Sequence, residues 1–195
     1  MNKAKSLGPT DWIKAGFRAL TEHGPEAVRV EKLARELGVT KGSFYWHFAD
    51  LPALQAAMLE HWRDVATENI IHRSEESGAP MATILENLLM EAASNPAADY
   101  GGPQAESAIR SWARSHTAAA ETVRQVDRRR LGFLEKNLKA TGVKPRAAKQ
   151  CAALYYSTLI GAEQLSETAP LTRKSIQSYV SFLLRGAGTG KSQGE

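Results

Sequence analysis
The chain has 195 residues, of which 43 % are hydrophobic, 24 % charged and 7 % aromatic, a composition that excludes a fibre, a collagen-like repeat and a wholly disordered chain. It carries 25 Lys and Arg against 21 Asp and Glu, a net charge of +4, and most of that excess falls in the first 48 residues, a distribution compatible with a polyanionic partner. A single cysteine, Cys151, excludes an internal disulfide framework and a multi-cysteine metal site, and no apolar run approaches the ~20 residues that span a bilayer.

Helical periodicity runs through the whole chain, and alternating strand patterns are nearly absent. Thr10 is the expected N-cap of a first helix, with Ile13, Phe17 and Leu20 on one face. Gly16 within it permits close approach of a neighbouring helix, and Gly24-Pro25 ends it. A second helix over 30–37 places Val30, Leu33, Ala34 and Leu37 on one side, with Gly38 as its left-handed C-cap. A third, short helix runs from Thr40 to Phe48. Asp50 caps a fourth, with Pro52 in its first turn and Leu54, Met58, Leu59, Trp62, Val65 and Ala66 as its apolar stripe, reaching about Arg73.

Ser77-Gly78-Ala79-Pro80 breaks the pattern, and an apolar helix follows over 81–94. A loop over 95–103 precedes helices over 104–115, 118–141, 146–167 and 172–185. The Gly/Ser-rich end reads as disordered. The fold class is all-α with about nine helices, and a domain boundary is expected near residues 65–78.

The stretch from Val30 to Phe48 carries the most chemistry. Ala34 supplies the small side chain needed where two short helices cross, and Gly38 the turn residue that tolerates positive φ. Phe44 and Phe48, one turn apart, form the buried side of the second helix. The other side shows Lys41, Gly42, Ser43, Tyr45, Trp46 and His47, a donor-rich, aromatic surface. This is the pattern of a helix-turn-helix whose second helix docks in the DNA major groove. A plain αα-hairpin with the aromatics as core is the alternative; it leaves unexplained why Lys, Ser and His surround one turn.

Residues 10–59 resemble the TetR family of bacterial transcription regulators. The resemblance rests on Ala34, on Leu37-Gly38-Val39, on Thr40-Lys41-Gly42-Ser43-Phe44-Tyr45-Trp46-His47-Phe48, and on the leucine-bearing helix after them. The segments Glu106–Ala113 and Val126–Leu131 also look like one branch of that family. The resemblance implies an N-terminal three-helix DNA-binding bundle over 10–70, preceded by a flexible basic arm over 1–9 with Lys3 and Lys5. It further implies a ligand-sensing and dimerisation domain over 71–187, a disordered tail over 188–195, and a bacterial cytoplasmic protein.

By position, it implies that Thr40 caps the recognition helix and offers its hydroxyl to a phosphate. Lys41, Gly42, Ser43 and Trp46 then face base edges, and Tyr45 and His47 contact phosphates. Arg29 and Val30 lie near the backbone or groove. Two departures stand out: Leu51 occupies a position where the family often has Lys, and Glu31 lies near one where it often has Arg. An acid there repels phosphate or reads cytosine.

A single such helix reads few base pairs, so a homodimer on a roughly palindromic double-stranded operator is expected. Cys151, Leu154, Thr158, Gly161 and Leu165 on one helix and Ile176, Val180 and Leu183 on the last are its expected interface, an isologous four-helix seam. Trp112, His116, Tyr155, Tyr156 and Gln164 are polar-tipped residues on apolar helices and are the candidate anchors for an unidentified small-molecule effector. Glu106 and Arg110 read as a simple i, i+4 pair, and Arg128-Arg129-Arg130 as a solvated face.

No cofactor is expected. The five histidines lack zinc-site spacing, no Gly-rich phosphate loop is present, and Cys151 reads as a small buried residue, all of which argue against an enzyme. An effector-independent DNA binder and an all-α protein-interaction scaffold remain as other readings.

Overall fold
The computed structural model describes residues 7–94, 104–166 and 168–188. All regular structure among them is helical: α1 (Pro9–His23), α2 (Val30–Glu36), α3 (Lys41–Tyr45), α4 (Leu51–Arg63), α5 (Asn69–Glu76), α6 (Met81–Ser94), α7 (Gln104–Trp112), α8 (Thr117–Ala140), α9 (Pro145–Gln164) and α10 (Arg173–Gly186). A 3-10 turn at Pro25–Ala27 and a π-helical turn at Asp64–Glu68 complete the list. Counting α4, the π turn and α5 together gives the nine helices expected. The basic arm with Lys3 and Lys5, the loop over 95–103 and the tail over 189–195 lie outside the described residues.

α1 begins at Pro9, one residue before the expected cap. Gly8 takes the N-cap position; its N–H donates to the Asp11 carboxylate at 2.8 Å, and the Asp11 N–H donates to the Gly8 carbonyl at 3.0 Å. Thr10 therefore lies inside the first turn. Proline at N1 and an acid at N3 outweigh the capping preference of a threonine. Asp50 caps α4 as expected, accepting from the Ala53 N–H at 2.8 Å.

The described residues fall into two compact units. One comprises residues 7–65 and 104–123, the other 66–94 and 124–188. In the first, α1 is the central helix and packs on α2, α4 and α7. Its core holds Trp12, Phe17, Leu20, Leu33, Phe44, Leu54, Met58, Trp62 and Ile109, each contributing about 1.5–3 kcal/mol on burial for an aliphatic or phenyl side chain. Gly16 sits where α1 meets α4: a Cβ there would stand 2.6 Å from Met58 Sδ, so the close approach read from the sequence is real. Glu106 is buried, and its carboxylate accepts from Arg110 Nε one turn on at 2.7 Å.

The second unit is built on α6, against which α9 and α10 pack. Leu85, Leu89, Leu138, Tyr155, Ile176 and Val180 fill its centre. The Tyr155 hydroxyl donates to the Leu85 carbonyl at 2.6 Å. The run at 128–130 is not a uniform solvated face. Arg130 is half-buried, and its guanidinium donates to Thr67 Oγ1 at 3.0 Å, the Ala66 carbonyl at 3.0 Å and the Tyr156 hydroxyl at 3.2 Å. Ala66 belongs to the π turn, whose wider hydrogen-bond spacing frees carbonyls for such a donor. Arg129 pairs with Glu68 at 3.1 Å.

Candidate nucleic-acid interface
The turn between α2 and α3 is a Schellman motif. Gly38 has φ +70°, its N–H donates to the Arg35 carbonyl at 3.2 Å, and the Val39 N–H reaches back to the Ala34 carbonyl at 2.9 Å. A side chain with a Cβ is strained at that φ, so glycine is what lets α2 stop and α3 start within four residues.

α3 is held by Phe44, which is 0 % exposed. Its ring meets the Trp12 edge at a centroid distance of 5.2 Å and the half-buried Phe48 at 5.6 Å. Such pairs add about 0.5–1.5 kcal/mol beyond area burial. The helix is shorter than the expected Thr40–Phe48, because the chain tightens after Tyr45: the His47 N–H donates to the Phe44 carbonyl three residues back at 2.9 Å.

The opposite side of α3 faces solvent. Trp46 is 88 % exposed and Tyr45 54 %. Thr40, Lys41 and Gly42 are exposed, and Ser43 and His47 half-buried. Thr40 is the N-cap residue by backbone conformation, but its hydroxyl makes no capping bond. The capping role expected of that side chain is not made; the Ser43 N–H is satisfied by the Thr40 carbonyl instead, at 3.0 Å. A Cβ on Gly42 would meet only Thr40 Oγ1, at 3.6 Å, an ordinary contact. The fold does not require glycine there.

At the start of α2, Arg29 is exposed, with Nε donating to the Glu26 carbonyl at 2.8 Å. Val30 is buried. Only Arg29 of that pair presents a side chain to a partner, because the first turn of α2 rolls Val30 into the core. Lys41 forms an ion pair with Glu31. The hydrogen bond from the Lys41 ammonium holds the Glu31 carboxyl below the ordinary carboxylate range, and the same bond strengthens the hold of Lys41 on its proton.

The candidate effector anchors are divided between the two units. Trp112 and His116 belong to the first unit, their rings 4.6 Å apart. His116 Nδ1 accepts the Ala119 N–H at 3.3 Å at the start of α8, a capping bond. Tyr155 and Tyr156 belong to the second unit. The Tyr155 hydroxyl is committed to Leu85, and the Tyr156 hydroxyl donates to Asp127 Oδ1 at 2.7 Å. Gln164 is exposed at the end of α9.

The expected pairing residues divide in two. Leu154 and Leu165 are 61 % and 50 % exposed, with Thr158 and Gly161 half-buried between them. Cys151, Ile176, Val180 and Leu183 are instead buried in their own unit, so their surface is already spent within the chain. Burial also pushes the Cys151 thiol up, away from the thiolate form. Phe182, 71 % exposed on α10, was not among the expected contacts. Its signal was the breadth of the apolar stripe on α10 (Ile176, Tyr179, Val180, Phe182, Leu183, Leu184), too wide for one buried face.

Among the described residues, no group of three or more His, Cys, Asp and Glu side chains is gathered as for a metal. No helix among them is long and apolar enough to cross a membrane.

Two short helices joined by a Schellman turn, the second anchored by one face and bare on the other, form a helix-turn-helix, the arrangement that in DNA-binding proteins sets the second helix in the major groove. Residues 13–58 match the family model described as bacterial regulatory proteins, tetR family. Solved structures share the fold over nearly the whole length. A transcriptional regulator from Rhodococcus sp. Rha1 superposes with a TM-score of 0.72 at 20 % identity, covering 93 % of this chain and 96 % of that one. A TetR transcription regulator from Haloarcula marismortui gives 0.68 at 19 % identity, covering 91 % and 96 %. GusR from Salmonella enterica gives 0.68 at 13 % identity, covering 95 % and 98 %. No curated protein matches the chain in sequence.

Proposed function
We propose that the chain is a repressor that binds a palindromic operator as a homodimer in the bacterial cytoplasm and is released by a small-molecule effector. The observation that carries the DNA-binding part is the polarity of α3: Phe44 fully buried, and Trp46, two residues on, 88 % exposed. Large aromatic surface left open to water marks an interaction site. Lys41, Gly42, Ser43 and Trp46 then read base edges in the major groove. Thr40, Tyr45, His47 and Arg29 contact phosphates, which fix register rather than sequence.

A helix of five residues reads too little sequence alone, and two copies related by a two-fold axis supply the rest. Leu154, Leu165 and Phe182 offer apolar surface for that pairing. A Cβ on Gly161 would meet nothing within 4 Å, which leaves room for a second helix to come close.

Release follows from linkage. A ligand frees DNA only if it binds better to the dimer whose two α3 helices are wrongly spaced for successive major grooves. Selection of bound duplexes from a random pool tests the proposal. An inverted repeat with half-sites about one helical turn apart is expected; enrichment of a single half-site, or of nothing, contradicts it.

A further inference from the structure
Three cations, on α1, at the N-cap of α2 and at the start of α3, are each met by a carboxylate of the same unit. Arg18 pairs with Glu36 at 2.7 Å, Arg29 with Glu26 at 3.7 Å, and Lys41 with Glu31. Arg29 and Lys41 are the two cations proposed above to touch DNA. Both reach a duplex already neutralised.

Exposed ion pairs contribute little to folding. The Lys41 and Glu31 side chains are 51 % and 61 % exposed, so the pair and the helix N-terminus give only a small stability reason for an acid at position 31. Duplex binding gives a further one. The sequence-independent part of DNA affinity comes from Lys and Arg replacing counterions on phosphate. A carboxylate paired with such a lysine cancels that attraction. A guanine edge is different: its O6 and N7 are fixed acceptors that match a lysine ammonium and replace the carboxylate as its partner.

We propose that Glu31 is a specificity-determining residue, an internal counter-ion that yields Lys41 to a guanine edge in the major groove but not to a phosphate. The inference rests on the reading of α3 as a DNA-contacting helix. Water already reaches both side chains, so opening the pair uncovers no buried charge. Glu31 lies in the first turn of α2 and Lys41 in the first turn of α3, so the pair bridges the two helices of the motif at the end where the lysine would enter the groove.

The test compares the full chain with Glu31→Gln on two duplexes, one selected from a random pool and one of scrambled sequence, across a series of salt concentrations. Glu31→Gln is expected to bind the scrambled duplex more tightly. The slope of log affinity against log salt should steepen by about 0.9, one added phosphate contact. The selected duplex should gain less, so the ratio between the two falls several-fold. In a Lys41→Met background, Glu31→Gln should leave the slope unchanged. An unchanged slope and ratio in Glu31→Gln, or the same steepening without Lys41, overturns the role of Glu31 while leaving DNA binding intact. A wild-type chain that binds neither duplex overturns the reading of α3, and this inference with it.

Discussion
Glu31 and Lys41, ten residues apart, are joined in an ion pair across the Gly38 turn. The pair ties the first turn of α2 to the first turn of α3. A carboxylate is favoured at a helix N-terminus and an ammonium is not, so Glu31 offsets the unfavourable placement of Lys41. The same contact controls the charge that α3 offers to a partner.

The pair sets a pH signature. Glu31 should titrate below ordinary carboxylates in an NMR pH titration and move back up in Lys41→Met, since the hydrogen bond from Lys41 is the main cause of its lowering. Folding gains from the pair above the ordinary carboxylate pKa, and loses that gain as pH falls through the lowered value. With both side chains in water the gain is small. Identical titration of Glu31 in the two proteins would remove the pair from solution.

Gly42→Ala separates fold from function. The added methyl fits, with its nearest contact at 3.6 Å, and removing glycine from a compatible helical position stabilises by about 0.4–1 kcal/mol. Urea unfolding should show a midpoint equal to or above wild type. Operator affinity should fall tenfold or more, about 1.4 kcal/mol, because the methyl occupies space a base or phosphate must enter. Loss of stability without loss of binding would reverse the assignment.

Gly16→Val should do the opposite. A Cβ there is already 2.6 Å from Met58 Sδ, and Met58 is fully buried between α1 and α4. Overpacking of this kind costs about 1–3 kcal/mol, read as a lower urea midpoint. A neutral outcome would mean that Met58 swings away freely.

Leu154→Glu and Phe182→Glu test pairing. Wild type should sediment as a dimer at micromolar concentration and each variant as a monomer, with about 2 kcal/mol or more lost per substitution if these are central contacts. Folding should be unaffected, since both side chains are already exposed in the single chain. A wild-type monomer would sink the dimer.

The helix-turn-helix was legible because its constraints are local. Gly38 must take positive φ, Asp50 must cap, and Phe44 must turn in for Trp46 to turn out, all within the thirteen residues 38–50. The packing of α7 on α1 was not legible, because periodicity marks an apolar face without naming its partner. The same gap explains Ile176, Val180 and Leu183. An apolar stripe shows that a face is covered, and these three were assigned to a second copy when α6 and its neighbours in the same unit already cover them. The resemblance implies that Val30 lies near the backbone or groove with Arg29, yet adjacent helical residues diverge by about 100°, and Val30 is buried. Tyr155 and Tyr156 looked like ligand anchors because a hydroxyl on an apolar helix wants a partner; Leu85 and Asp127, far off in sequence, supply those partners.

Tryptophan emission gives the most direct measurement. Of the four tryptophans, Trp12, Trp62 and Trp112 are buried and Trp46 is 88 % exposed, so acrylamide quenching of the native chain reports chiefly on α3. Addition of the selected duplex should sharply reduce that quenching as Trp46 enters the groove. Tight duplex binding with Trp46 still fully open to acrylamide would contradict the account.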